Sequence, residues 1–283
     1  SIVVAMAGML HSAITVSKVR DVRGEPTGGD TGRLRPLGAR SLALSVLLGS
    51  HPPEMPARAL VELAELFGIA SGAMRTALSR SVANGEIVAV DGQYRLADRL
   101  LDRQRSQDAG RQPPPDRWDG RWHSVIAASD QRELAARRRF RTVMDNHRFG
   151  ELRPDIWMRP ANLPSPRPEP DWIVSTATVE GIGGNDLAGR LWDRTAIDAT
   201  ARSLLREMAR CRSECDWSDP ASIPELFLVS AGAVRFLRGD PLLPAELTPP
   251  EWPMPEFRRT YDDFERDHQL LLQRFLRRGR PAR

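Results

Sequence analysis

The stretch SGAMRTALSRSVANGEIVAVDGQYRL, Ser71 to Leu96, decides how the first third of the chain is read. Met74, Leu78 and Val82 recur every four residues, so all three are expected to face a core. That leaves Arg75, Thr76, Ser79 and Arg80 on the opposite, solvent-facing side of the same helix. Ser71 follows a short turn and is expected as the N-cap, where a hydroxyl can accept from an orphan amide. Beyond Asn84-Gly85, the runs EIVAV and QYRL flank Asp91-Gly92, a dipeptide that favours a two-residue hairpin turn.

On the N-terminal side, ARSLALSVLLG is an apolar helix closed by Gly49. Pro56 then opens ARALVELAELFG, with Leu60, Leu63, Ala64 and Phe67 at helical spacing and Gly68 as the stop. Helix, helix, tight turn, helix, hairpin is the order of a winged helix-turn-helix. In that arrangement the third helix enters the major groove, where Arg suits guanine and Ser or Thr suits several bases and phosphates. Arg75, Thr76, Ser79 and Arg80 are therefore candidate DNA contacts, and Arg95 on the wing a candidate for phosphate or minor groove. The alternative is a winged helix that touches only proteins, with this polar face merely solvated.

Outside this region the chain divides by composition. Residues 1–35 read as a flexible tail, because GEPTGGDTG is dense in turn formers. The winged helix-turn-helix is assigned to 36–109, including a polar helix in LADRLLDRQRSQD. Three consecutive prolines make 110–117 a stiff linker. A middle domain, 118–180, starts with a buried strand at Trp122 to Ala127. It continues with a helix opened by the capping-box spacing of Asp130 and Glu133, a strand ending at Pro160, and a β-branched strand in DWIVSTATVE. Strand, helix, strand, strand fits a ferredoxin-like half with its fourth strand unplaced. Residues 181–283 are read as a helical C-terminal domain for effector binding and dimerisation. Its last helix spaces Phe257, Tyr261, Phe264, His268, Leu271 and Phe275 alternately four and three apart, a seam for a helix of the same chain or of a partner. The fold class is thus α+β.

Composition narrows the chemistry. The formal charge is +4, and all but one of the 41 basic residues are Arg, a residue that pairs with phosphate in a bidentate way. Cys211 and Cys215 sit four apart with no His or third Cys nearby in sequence, so two reduced structural thiols are expected rather than a zinc site. No apolar run is read as long enough to span a bilayer, and the apolar Ile2 to Leu10 lacks a basic leader, so a cytoplasmic protein is expected. Gly181 to Asn185, GIGGN, follows a strand and precedes a helix, the setting of a phosphate cradle, but it lacks either nucleotide-binding spacing. RRRFR, Arg137 to Arg141, is either a second anion contact or a solvated face. No catalytic residue, metal site or cofactor is expected.

Three stretches together carry a resemblance: RTALSRSVANGEI in the third helix, WDGRWHSVI opening the middle domain, and RFLRGDPLLPAEL with the following EWP. They closely resemble the PaaX family of transcriptional regulators over about Arg40 to Trp252. The resemblance implies a dimeric bacterial repressor with a winged helix, a middle domain similar to a small CRISPR-associated nuclease, and a helical C-terminal domain. It also implies double-stranded operator DNA and a small-molecule effector as partners, the effector being phenylacetyl-coenzyme A in the best-known members. It supports the four third-helix residues as DNA-facing and gives no effector-pocket residues. Where relatives often close the first strand of the middle domain with an acidic residue, this chain has Ala127 and Ala128. A nucleic-acid-processing enzyme built on that domain, the alternative reading, lacks the side chain that would hold its metal.

Overall fold

The computed structural model describes residues 38–112, 117–127 and 134–278. The segment 1–35, the prolines at 113–115, Ala128, the capping residues Asp130 and Glu133, and residues 279–283 lie outside the described residues. The chain is α+β with two antiparallel sheets and separates into two compact units. One gathers the described residues of Ser1–Asp108, Leu204–Ala233 and Thr260–Arg283; the other takes those of Ala109–Ser203 and Val234–Arg259.

The first unit begins with α1 (Ala39–Gly49), β1 (Glu54–Pro56), α2 (Ala57–Leu66), α3 (Ser71–Ala83), the strands β2 (Ile87–Val90) and β3 (Gln93–Leu96), and α4 (Asp98–Arg111). Leu42, Ala43, Leu47, Leu60, Leu63, Ala64, Met74 and Leu78 are all buried, so the apolar stripes of α1, α2 and α3 form its core. Glycine ends α2 and α3 in the same way. Gly68 (φ 69°) and Gly85 (φ 63°) take left-handed backbone, and the residue after each donates to the carbonyl five back, Ile69 to Ala64 and Glu86 to Ser81. These are Schellman ends that satisfy otherwise orphaned carbonyls. The end of α1 is satisfied differently: buried Gln104, on α4, donates its side-chain amide to Leu48 O (3.0 Å) and Ser50 O (2.9 Å).

Asp91 and Gly92 both have positive φ (49° and 75°), the signature of a type I′ turn, and β2 pairs with β3 in the register this turn dictates, Val90 opposite Gln93. The three-residue strand β1 was not expected; it joins as the other neighbour of β3, with Glu54 opposite Arg95. Three residues carry too little periodicity to announce a strand, and the pairing spans some forty positions.

The later part of this unit comes from three long helices, α7 (Arg194–Glu214), α8 (Ile223–Gly239) and α9 (Met254–Arg278), each of which contributes part of its length. The expected seam on α9 is filled within the chain: Phe257, Tyr261, Phe264, His268 and Leu271 are all buried. Trp217 meets Phe264 edge-on at 5.2 Å, and Phe227 meets Phe67 at 5.3 Å and the His268 ring at 6.3 Å. Ser230 on α8 donates to Glu265 on α9, a buried polar pair between two apolar faces. Contrary to the reading of the sequence, Pro220–Gly239 is long and apolar enough to cross a membrane by length and composition. Its packing accounts for that composition: Ile223, Leu226, Phe227, Val229, Ala233 and Leu237 are core residues.

The second unit is built on the sheet β5-β6-β4-β7, with β4 (Arg121–Ala127), β5 (Gly150–Arg153), β6 (Ile156–Pro160) and β7 (Trp172–Thr178) all antiparallel to their neighbours. The single strand expected to end at Pro160 is two strands. Pro154 and Asp155 (φ 66°) turn the chain between them, and β5 is the strand the sequence left unplaced. Helix α5 (Leu134–Asn146) buries Phe140 and Met144 with Val125, Ala127, Phe149 and Trp157 on one sheet face. The other face packs Trp122 and Met158 under α6 (Gly184–Leu191) and Leu247. This second layer needs a glycine at 150, because a Cβ there would stand 2.7 Å from the Leu191 Cβ and 3.0 Å from its carbonyl. Gly150→Ala is expected to cost about 1–3 kcal/mol through overpacking, measurable as a lower denaturant midpoint with unchanged m.

Candidate nucleic-acid interface

Helix α3 presents one clearly polar face. Arg75, Thr76, Ser79 and Arg80 are all exposed, while Met74, Leu78 and Ser81 are buried beneath them. Ser81, not Val82, completes the inward row; Val82 is 37% exposed. The reason is the helical period: measured from Met74 at about 100° per residue, Leu78 lies near 40°, Ser81 near −20° and Val82 near 80°. A strict spacing of four drifts off the core face, and the true row is four then three. Ser71 is also displaced from its expected role. Ala70 occupies the cap with an extended backbone and no side-chain capping bond, and Ser71 is the first helical residue.

The polar side chains are lightly tethered. Arg75 Nη1 donates to Ser71 Oγ at 3.5 Å, and Thr76 Oγ1 donates back to the Gly72 carbonyl at 2.9 Å. Arg80 and Ser79 have no partner among the described residues, so neither has an internal bond to give up on meeting a ligand. By contrast the helix itself is held firmly. Glu86, buried just past its C-terminal end, accepts from Arg40 Nε at 2.9 Å and also pairs with Arg40 Nη2, which ties the start of β2 to α1. This pairing also raises the Arg40 guanidinium above its ordinary value.

Arg95 lies on the hairpin and is exposed. Its register partner on β2 is Val88, so the two share a face that Val90 and Gln93 extend; Val88 and Val90 are 43% and 45% exposed. The opposite face carries the buried Ile87 and Leu96. No ion pair joins Arg95 to Glu54 among the described residues, although the two are opposite in register. Arg75, Arg80 and Arg95 thus offer three accessible guanidiniums on one short stretch of chain, with two hydroxyls between them. That set can donate bidentate hydrogen bonds to guanine edges or phosphates.

The other candidates are taken up in part by ordinary structure. In RRRFR, Phe140 turns into the core and Arg141 pairs with Glu151 at 3.2 Å, whereas Arg137, Arg138 and Arg139 are exposed. In GIGGN, a Cβ on Gly184 would meet Leu247 at 3.1 Å and Trp118 at 3.3 Å, so this glycine is packed against apolar side chains, while Gly181, Gly183 and Asn185 are exposed. His123 bonds Thr176 Oγ1 at 2.7 Å and the Leu163 carbonyl at 3.0 Å, and burial pushes it below its ordinary value, which keeps it neutral.

Two features escaped the sequence. Glu225 joins Cys211 and Cys215 in a cluster whose ligand atoms lie within 4.8 Å of one another. The carboxylate is already engaged, however, by Arg210 Nη2 at 2.7 Å, and burial pushes the Cys211 thiol up to about 12. A metal needs thiolates, and this setting holds protons on sulfur. Cys211 is expected to resist a disulfide reagent at pH 8 in the folded protein and to react on unfolding, which a timed thiol titration checks. The second feature is Arg159, 2% exposed, which donates from Nη2 to the Leu163 (3.4 Å) and Pro164 carbonyls and lies 4.9 Å from the Phe149 ring centre. Burial and the neighbouring Arg148 bring it down to about 10, so it remains a cation that pins the loop after β6. Glu225 stands ten residues beyond Cys215, and Arg159 bonds the backbone of an irregular loop, so no periodic pattern announces either.

Comparison with known proteins places the chain among relatives along most of its length. Three family profiles match: PaaX-like protein over residues 38–100, PaaX protein central Cas2-like domain over 115–167, and PaaX-like protein C-terminal domain over 192–278. Among solved structures, the uncharacterized protein Rv0674 from Mycobacterium tuberculosis is similar at 40% identity with a TM-score of 0.66, covering 84% of this chain and 99% of that one. No curated protein matches the chain.

Proposed function

Because the chain belongs to the PaaX family of transcriptional regulators, we propose that it is a ligand-responsive repressor that binds operator DNA through α3 and the β2–β3 hairpin. The observation that carries this reading is the exposed row Arg75, Thr76, Ser79 and Arg80, held above a buried row on a helix closed at its C-terminal end by glycine. In this reading residues 36–109 are a winged helix-turn-helix, with α3 as the recognition helix and the hairpin as the wing. The strand order β5-β6-β4-β7, with a helix between β4 and β5, supports a ferredoxin-like middle domain at 118–180. Residues 181–283 serve effector binding and dimerisation, and the protein acts in the cytoplasm without an enzymatic role.

A homodimer would place two copies of α3 in successive major grooves about 34 Å apart, so the operator is partly palindromic. The effector, an acyl-coenzyme A or related aromatic metabolite, favours a state in which that spacing is lost. By linkage, DNA weakens effector binding by the same factor. Fluorescence anisotropy with DNA from upstream of the protein's own gene tests the reading. Binding is expected to weaken as salt rises, with a log–log slope that falls by about 0.9 for each phosphate contact removed. Arg95→Ala is expected to reduce that slope by about one and to weaken binding similarly on all sequences, as a backbone contact does. Salt-independent binding would refute a phosphate-dominated interface.

A further inference from the structure

Residues 134–153, which span α5 and β5, carry six Arg against Asp145 and Glu151. Their net +4 equals the formal charge of the whole chain, so all other residues together sum to zero. Residues 38–112 hold nine Arg against eight Asp and Glu, a net of +1. Most of the positive excess therefore lies outside the segment that carries α3 and the hairpin. It is also accessible: Arg148 is buried, but Arg137, Arg138, Arg139, Arg141 and Arg153 are exposed.

The helical period sorts the arginines of α5. Measured from buried Phe140, Arg137 lies at about 60°, Arg141 at about 100° and Arg138 at about 160°, whereas Arg139 lies at about −100°. Three guanidiniums thus share one flank and span about 6 Å of helix axis. Phosphates of one DNA strand recur about every 3.4 Å along the duplex, so this flank can meet neighbouring ones. Both acids stand toward its C-terminal end. Glu151 pairs with Arg141 at 3.2 Å, and Asp145 follows Arg141 by four residues. Arg138 and Arg139 have no ion-pair partner among the described residues.

The rest of the exposed side favours a polyanion over a protein. It carries Ala135, Ala136 and Thr142, with Leu134 its one large apolar residue among those described. A protein interface is anchored by clustered aromatic and aliphatic side chains, which this surface lacks. Guanidiniums suit phosphate oxygens, which they bind in a bidentate way. In the reading above, Arg75 and Arg80 go to base edges, and Arg95 is the one guanidinium of that set left for phosphates. Yet phosphate contacts supply a large share of the affinity of a DNA-binding protein.

We propose that the Arg137, Arg138 and Arg141 flank of α5 is a second DNA contact, which grips the phosphate backbone without reading sequence. The assignment rests on the DNA-binding reading above and gives part of its electrostatic share to a different domain.

The test uses the full chain, DNA from upstream of its own gene and an unrelated duplex of the same length, read by fluorescence anisotropy over a salt series. Arg137→Gln/Arg138→Gln is expected to bind both duplexes about tenfold more weakly near physiological salt, with a log–log salt slope lower by about 1.8. The ratio of the two affinities stays at its wild-type value, because a phosphate contact carries no sequence information. Arg139→Gln, on the other flank, is expected to leave affinity and slope unchanged. Arg138→Gln alone is the arm that stands if the double variant does not fold, with a slope lower by about 0.9. The proposal is overturned if the double variant keeps the wild-type slope, or if Arg139→Gln lowers it as much as Arg138→Gln. It is also overturned if the double variant loses affinity only for an RNA duplex of the same sequence. Arg75→Ala is carried alongside and is expected to weaken binding to the upstream DNA more than to the unrelated duplex. A weakened Arg75→Ala beside an unaltered α5 variant removes the second contact alone, whereas a wild type that binds neither duplex removes the DNA-binding reading itself.

Discussion

Arg75→Ala and Arg80→Ala are each expected to weaken operator binding by about 1–3 kcal/mol, or roughly 5- to 150-fold, if each guanidinium makes a bidentate base contact. The melting temperature of each variant should stay close to wild type. Both side chains are exposed, and their only internal bond among the described residues is the 3.5 Å contact from Arg75 to Ser71. Affinity and stability are thereby separated, which removes the usual objection that a binding defect is a folding defect. The two losses should differ in kind as well as size. Loss of a base contact relaxes the preference at one operator position, whereas loss of a phosphate contact weakens all sequences alike and lowers the salt slope. Measuring each variant on a point-mutated operator series sorts the two cases.

The largest expected effect on stability lies in the second unit, at Asp240. Asp240 and Arg258 form a buried ion pair, and Asp240→Ala leaves the Arg258 guanidinium without that carboxylate while the bond from Arg148 to the backbone carbonyl at 240 remains. Breaking a buried pair in this way costs about 3–5 kcal/mol, because the remaining charge is neither solvated nor neutralised. A drop in melting temperature on the order of 10 °C follows for a chain of this size. The comparison that isolates the cause is Arg258→Met combined with Asp240→Leu. Removing both charges costs far less than removing the acid alone, since an apolar pair of similar volume often replaces a buried ion pair without penalty. Equal destabilisation by the single and the double variant would show that packing, not charge, governs this position.

The legible parts of the fold are those set by local chemistry. The apolar stripes of α1 and α2 and the glycines that end α2 and α3 follow from short-range rules. So does the Asp91-Gly92 turn, and all were readable over a few residues. Where the reading failed, the deciding interaction was either a matter of phase or distant in sequence. A spacing of four points to Val82 as core, yet the period of 3.6 brings Ser81 inward instead. β5 and β6 were merged because IWMRP and GELR are both short and half apolar, and only the Pro154-Asp155 turn separates them. β1 depends on its pairing with β3, and the buried site around Asp240 depends on Arg148 meeting the backbone there from some ninety residues away. The apolar composition of α8 misled in another direction. Its length and hydropathy satisfy a membrane span, and only the Phe227, Ser230 and Leu237 contacts reveal a core helix.

The candidate DNA-facing residues were legible for the reason that they touch so little. Exposed arginines and hydroxyls on one face of an otherwise well-packed helix have no structural task that explains them, and that pattern is visible in seven residues of sequence.

The most direct test is a nuclease footprint of the purified protein on DNA from upstream of its own gene, run beside the Arg75→Ala/Arg80→Ala double variant. The account predicts two protected half-sites with centres about 34 Å apart, one helical turn, for the wild type and none for the double variant at the same concentration. An unchanged footprint in the double variant, or no protected half-sites in the wild type, would contradict it.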